Sequence, residues 1–222
     1  MLSCTEWRLL AVVWAIERPC GLGEPTVEVW AEGDLAAVMG RGWSSEDPIE
    51  LALRHDEVVG LVQGACSAVV PFRLGTMLRD PRDFRAMIRA QRFGLMQMLE
   101  RFAGRIEMSL KLHLGGCSGP PRGAQPGLDA IRSLAWRPED RDERLAMRGG
   151  RPVLTGRYLI DRDAVGEFWS AFERIRAAVP EAVVMGSGPW APYSFCDSGC
   201  DSNRDSGRGR AAGVTRRCQN QT

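Results

Sequence analysis

The hydrophobic pattern changes rhythm several times along the chain, and each rhythm predicts an element. Trp7 to Ile16 is a continuous apolar run ended by Pro19, Gly21 and Gly23, which predicts a buried strand and then a turn. Thr26 to Trp30, β-branched at Thr26, Val27 and Val29, predicts a second short strand. Asp34 to Met39 fits a strand or a helical turn equally well. After Asp47-Pro48-Ile49-Glu50, the residues Leu51, His55, Val58 and Val62 recur at helical spacing to about Ala65. Asp47 can accept from free first-turn amides, Pro48 has no amide to leave unsatisfied, and Glu50 sits near the positive helix end.

Ser67 to Phe72 predicts another strand, broken at Pro71 and Gly75 before the same helix start repeats as Asp80-Pro81-Arg82-Asp83. The helix behind it carries Phe84, Met87, Ile88, Leu95, Met98, Leu99 and Phe102 as one apolar stripe, ended by Gly104. Ile106, Met108, Leu110, Leu112 and Leu114 then alternate with polar residues, the signature of a strand with one wet face. This order predicts an α+β domain over residues 1–114. Residues 115–150 form a Gly/Pro linker and a charged connector, read as an exposed helix or a mobile segment. Arg157 to Ile160 predicts a strand, and Val165, Phe168, Trp169, Phe172, Ile175 and Val179 form a helix face stopped by Pro180. Strands at Ala182 to Met185 and Trp190 to Phe195 complete a smaller α+β domain over residues 151–196. Residues 197–222 have hardly an apolar anchor and read as a disordered tail.

Composition narrows the function classes. With 222 residues, 44% hydrophobic and 26% charged, the chain has ordinary globular values. The 29 basic and 28 acidic residues give a net charge of +1, so charge supplies no reason to expect nucleic acid or an anionic membrane. The apolar run from Leu9 to Ile16 is far shorter than the ~20 residues of a membrane span. It also lacks a small-residue cleavage site behind it. Seven cysteines without a CxxC pair or framework spacing point to a cytoplasmic protein with reduced thiols.

Candidate chemistry is sparse. His55 and Asp56 are adjacent on a helix and point about 100° apart, so they do not face each other, and His55 lies on the apolar stripe. Cys196 and Cys200 have no second pair to complete a zinc set. Gly21-Leu22-Gly23 lacks the third glycine of a dinucleotide loop. No catalytic, cofactor-binding or metal-binding residue is expected. An α+β enzyme of unidentified chemistry is the alternative reading. RNA binding is the weaker one, since the strand from Ile106 to Leu114 has no stacking aromatics.

Four segments together carry a resemblance: His55-Asp56, VVPFRLGTML (Val69 to Leu78), GRIEMSLKL (Gly104 to Leu112) and GPWAPYSF (Gly188 to Phe195). In this order and at this separation they resemble the gas vesicle protein GvpL/GvpF family. The resemblance implies a two-domain α+β protein whose N-terminal domain is a modified ferredoxin-like fold. It also implies an accessory or minor structural role, without catalysis or cofactor, in forming gas vesicles. The implied partners are the hydrophobic major shell protein and other gas vesicle accessory proteins, in the cytoplasm at the gas vesicle. Phe72, Arg73 and Thr76 in the first block, with Trp190, Tyr193 and Phe195 in the last, are the candidate partner-binding residues. Phe72 and Arg73 are of types favoured at interface hot spots. The plainer reading is that Pro71 and Gly75 set a strand exit, and that the three late aromatics close the core between domains.

Overall fold

The computed structural model describes residues 7–17, 19, 26–42, 47–113 and 122–196. Its first part runs β1 (Trp7–Trp14), β2 (Val27–Glu32), β3 (Leu35–Arg41), α1 (Pro48–Ala65), β4 (Val70–Pro71), β5 (Met77–Leu78) and α2 (Pro81–Phe102). The strands form one sheet in the order β2-β3-β1-β4, with β5 also pairing β1. Helix α1 packs Val58, Val59 and Val62 against Leu10, Ala11, Val13, Ala36 and Val38. Helix α2 packs Phe84, Ile88, Leu95 and Leu99 against Leu9, Val12, Leu35, Ala37 and Met39. The sheet therefore lies between two helices, and this is why β1 reads as an unbroken apolar run: both faces are covered. A register shift between Leu9 and Ala11 leaves the consecutive residues Leu10 and Ala11 in the same core.

Both predicted helix starts form as their chemistry demands. Asp47 accepts from the amide of Ile49 at 2.8 Å, and Asp80 from those of Arg82 and Asp83 at 2.7 and 3.0 Å. Of the stretch Asp34 to Met39, Asp34 is in a turn and Leu35 onward is strand, paired on β1 and on β2.

The second part runs β6 (Arg105–His113), α3 (Gln125–Ser133), β7 (Arg141–Arg148), β8 (Arg151–Asp161), α4 (Val165–Ala178) and β9 (Val183–Trp190). Its strands form a separate antiparallel sheet in the order β7-β8-β6-β9. Ile106, Met108, Leu110 and Leu112 face α3 and α4 through Leu128, Ile131, Phe168, Phe172 and Ile175. The helices cross at Gly127, where a Cβ would sit 2.4 Å from Cγ1 of Ile175. The α+β class in two units is as expected, but the full β-α-β-β-α-β order of the ferredoxin-like motif, implied for the N-terminal unit, runs through this second unit, while the first runs β-β-β-α-β-β-α.

Three elements differ from the sequence reading, each for a physical reason. β6 pairs β8 and β9, so it begins the second sheet and does not close the first. Alternation shows that a strand has one wet face, not which sheet it joins. Within the expected connector, Leu128 and Ile131 anchor α3, and the charged run from Arg141 to Arg148 is the edge strand β7. An edge strand exposed to water tolerates charge at nearly every position. The two strands expected near the C-terminus are one, β9, followed by a 3-10 turn at Tyr193–Phe195. The expected tail at 197–222 lies outside the described residues, as do Cys4, Cys20, Cys117, Cys200 and Cys218.

Candidate functional site

The two segments that carry the resemblance meet in space. Between β4 and β5 the chain makes a tight turn, with the amide and hydroxyl of Thr76 both donating to the carbonyl of Arg73, at 3.2 and 3.0 Å. Gly75 at φ 98° provides the left-handed residue the turn requires. The turn is tied to β1 at both ends: Phe72 N donates to Leu10 O and Leu9 N to Thr76 O, each at 2.9 Å. Phe72 therefore points inward and Arg73 and Leu74 point out.

Phe72 and Phe195 are buried in the same core, that of the first unit closed by Leu159 of β8 from the second. Neither offers contact area to a partner, because each is surrounded by apolar side chains of its own chain. Cys196 approaches the carbonyl of Pro71 at 3.6 Å, binding the late segment to the early one. Thr76 is half-buried and holds the turn. Arg73 and Tyr193 line one open groove of about 550 Å³, completed by Pro48, Ile49, Ala52, Leu53, His55, Asp56 and Leu74. Trp190 stands apart at the end of β9, 41% exposed, with its indole N–H on Ser187 Oγ at 3.2 Å.

The groove is apolar with a charged rim. Ile49 and Leu53, one helical turn apart on α1, are 70% and 67% exposed, and Leu74 faces them from the turn. Asp56 and Arg73 supply the rim charges. Sequence reasoning missed Ile49 and Leu53 because it followed only the stripe through His55, Val58 and Val62. The signal was present: an apolar i, i+4 pair lying off the buried stripe. At the inner wall His55 is buried, with the Tyr193 hydroxyl 3.4 Å from Nδ1. Burial holds the imidazole below its ordinary value, with Asp56 opposing, and burial pushes the Tyr193 phenol up. Both side chains are thus neutral at physiological pH. Among the described residues no three His, Cys, Asp or Glu side chains gather as a metal site, and no helix is long and apolar enough to cross a membrane.

A chain of polar contacts fixes the second unit beneath this surface. Arg162, entering α4, donates to the carbonyls of Gln63 and Cys66 at the end of α1, at 2.7 and 2.9 Å. A cation there is favoured by the helix dipole. Gln63 Nε2 donates to Trp190 O at 3.1 Å. Glu107 of β6, only 5% exposed, accepts from the amide and hydroxyl of Ser194 at 2.9 and 2.7 Å.

Burial raises the Glu107 carboxyl above the ordinary 4.5, and the two Ser194 bonds oppose that rise. A carboxyl with a higher pKa folded than unfolded binds its proton more tightly in the native state. Its contribution is therefore fully present below about pH 4.5 and is lost as pH rises through the folded value. In Glu107→Gln, the amide can accept from Ser194 N and donate to Ser194 Oγ without a buried charge. We expect urea titrations between pH 4.5 and 7 to show wild-type stability falling relative to the variant as pH rises. A constant difference across that range would refute the assignment.

The fold defines a two-unit α+β protein of the gas vesicle GvpF type. It matches crystal structures of GvpF from Anabaena sp. and from Microcystis aeruginosa, each with a TM-score of 0.67 at 14% identity. These matches cover 87% and 88% of this chain and 96% and 100% of those. The family model described as gas vesicle synthesis protein GvpL/GvpF matches residues 9–116 and 128–197, and the chain belongs to that family. Among relatives, gas vesicle protein L of a Streptomyces species is 25% identical over 84% of this chain and 92% of its own length. Gas vesicle protein F2 of Halobacterium salinarum is 27% identical over 67% of this chain. The match spans 64% of that relative's length, and 65% of gas vesicle protein F of Haloferax mediterranei.

Proposed function

We propose that this protein acts in gas vesicle formation as a non-catalytic assembly or minor shell protein. On this reading it works in the cytoplasm at the growing vesicle, holds the hydrophobic major shell subunit soluble, and presents it to the wall alongside other accessory proteins. The observation that supports it most directly is the open groove in which Ile49, Leu53 and Leu74 expose apolar area beside Arg73 and Tyr193. Large exposed apolar side chains gathered in one concave patch mark a surface that gains free energy by being covered. The groove lies where the turn of the first signature segment meets Tyr193 of the last, so both segments shape one surface. Of the six residues singled out from sequence, Arg73 and Tyr193 are the contact residues on this reading. Thr76, Phe72 and Phe195 hold their positions, and Trp190 flanks a different edge.

Co-expression tests it. The shell subunit produced with this chain should gain soluble yield and co-purify. The variant Ile49→Asp/Leu53→Asp should fold with a wild-type circular dichroism spectrum and lose both effects, since the two side chains are solvent-exposed. Unchanged yield with the wild-type chain, or full rescue by the double variant, would count against the reading.

A further inference from the structure

Each sheet edge in the second unit exposes backbone donors and acceptors, and the two edges are defended very differently. β7 carries Arg141, Asp142, Glu143, Arg144 and Arg148, charges that discourage another strand from pairing. In the first unit, β2 is guarded by Glu28 and Glu32, which pair with Arg41, Arg85 and Arg89. β9 reads VVMGSGPW and has no charged residue. It pairs only with β6, so among the described residues its outer side is an unprotected template from Val183 to Ser187. Val183 and Met185 are 59% and 54% exposed, and Trp190 closes the end of the strand.

The surface beside this edge has a sign. On the face of the sheet away from α3 and α4 lies a depression of about 270 Å³, lined by Ser109, Lys111, Thr155, Arg157, Met185 and Ser187 among others. The small side chains of Ser109 and Ser187 leave the room, and the polar lining consists of hydroxyls and two cations, of which Arg157 is engaged by Asp142. The carboxylate next in register, Asp142, is occupied by Arg144 and Arg157, at 2.9 and 3.1 Å. Lys111 is exposed. The site thus combines a row of backbone hydrogen-bonding groups, apolar side chains along it, and a cationic recess one strand inward.

We propose that β9 is a docking edge for an extended, carboxylate-bearing segment of a partner protein. The segment adds a strand to the sheet by main-chain pairing, lays apolar side chains beside Val183 and Met185, and turns an acidic side chain into the recess at Lys111. A second copy of this chain is a poor occupant, because a facing β9 has no carboxylate to answer Lys111. The inference rests on the preceding functional reading only for the partner's identity, the shell subunit. The edge lies on the second unit, apart from the groove on α1.

The test places a photo-cross-linking benzophenone side chain at position 185, and separately at position 53, in the full chain within vesicle-forming cells. Cross-linked peptides are then mapped by mass spectrometry. Position 185 should capture one shell-subunit segment containing Asp or Glu. Lys111→Glu should cut that yield about tenfold, while Lys111→Arg retains it, the expected effect of reversing one charge-assisted contact. Both variants should keep the wild-type melting midpoint because Lys111 is exposed. Capture of a second copy, no capture at 185, or a yield indifferent to Lys111→Glu would each overturn the docking edge. Capture at 53 without 185 removes this inference and leaves the groove reading standing; capture at 185 without 53 does the reverse. Capture at neither position removes both.

Discussion

Asp140→Ala is expected to lower unfolding free energy by about 3–5 kcal/mol, the range for removing one partner of a buried ion pair. Asp140 is fully buried and receives two arginines from different parts of the fold. Arg101, at the end of α2, donates to Oδ1 through Nε and Nη2 at 3.1 and 3.0 Å. Arg105, at the start of β6, donates to Oδ2 at 3.3 Å. The Arg105 guanidinium also lies 3.9 Å from the centre of the Trp136 ring and 3.6 Å from Asp161, so it has little freedom to reach water. Without Asp140 the Arg105 charge stays where it is and loses its closest carboxylate. Asp140→Asn, which keeps the shape and one acceptor, should cost less than the alanine variant. Guanidinium titrations of the three proteins would measure the series. Equal midpoints for wild type and alanine variant would show that the cluster contributes no net stability.

Phe72→Ala is the second large effect, expected to cost about 3–5 kcal/mol, as for other buried phenylalanine truncations. Phe72 is 3% exposed and shares its core with Phe84, Leu99 and Phe195, so its removal leaves a cavity that backbone tied to β1 cannot easily fill. Its neighbour Arg73 is exposed, and Arg73→Ala should change stability by less than about 0.5 kcal/mol. The pair separates two meanings of one sequence motif. If Phe72→Leu restores stability and vesicle formation together, the aromatic acts through packing. If Arg73→Ala weakens shell-subunit capture without moving the melting midpoint, the arginine acts at the surface. A destabilised Arg73→Ala with normal capture would reverse the assignment.

These residues also show which parts of the fold were legible beforehand. The Asp-Pro starts of α1 and α2 were readable because capping is local: one carboxylate and one missing amide act within a single turn. The buried nature of β1 was readable because covering both sheet faces erases alternation. The membership of β6 was not, since its partners in β8 and β9 lie as far as about 80 residues along the chain and leave no mark on its own pattern. β7 was misread for the same physical reason that it works as an edge. Charge that keeps a strand soluble also makes it resemble a connector. At the candidate groove, sequence gave Arg73 and Tyr193 but not Ile49 or Leu53, which differ from core residues only in which side of α1 they occupy.

The burial of Phe195 has a consequence for how the chain is made. It belongs to the core of the first unit, although more than a hundred residues separate it from Phe72. During synthesis the first unit emerges from the ribosome with a gap where that ring will lie. The gap stays open while the second unit up to Phe195 is translated, and in the finished fold Ser194, next to the ring, is held by Glu107 on β6. Until then the nascent protein carries an incomplete core, which closes only when Phe195 docks against it.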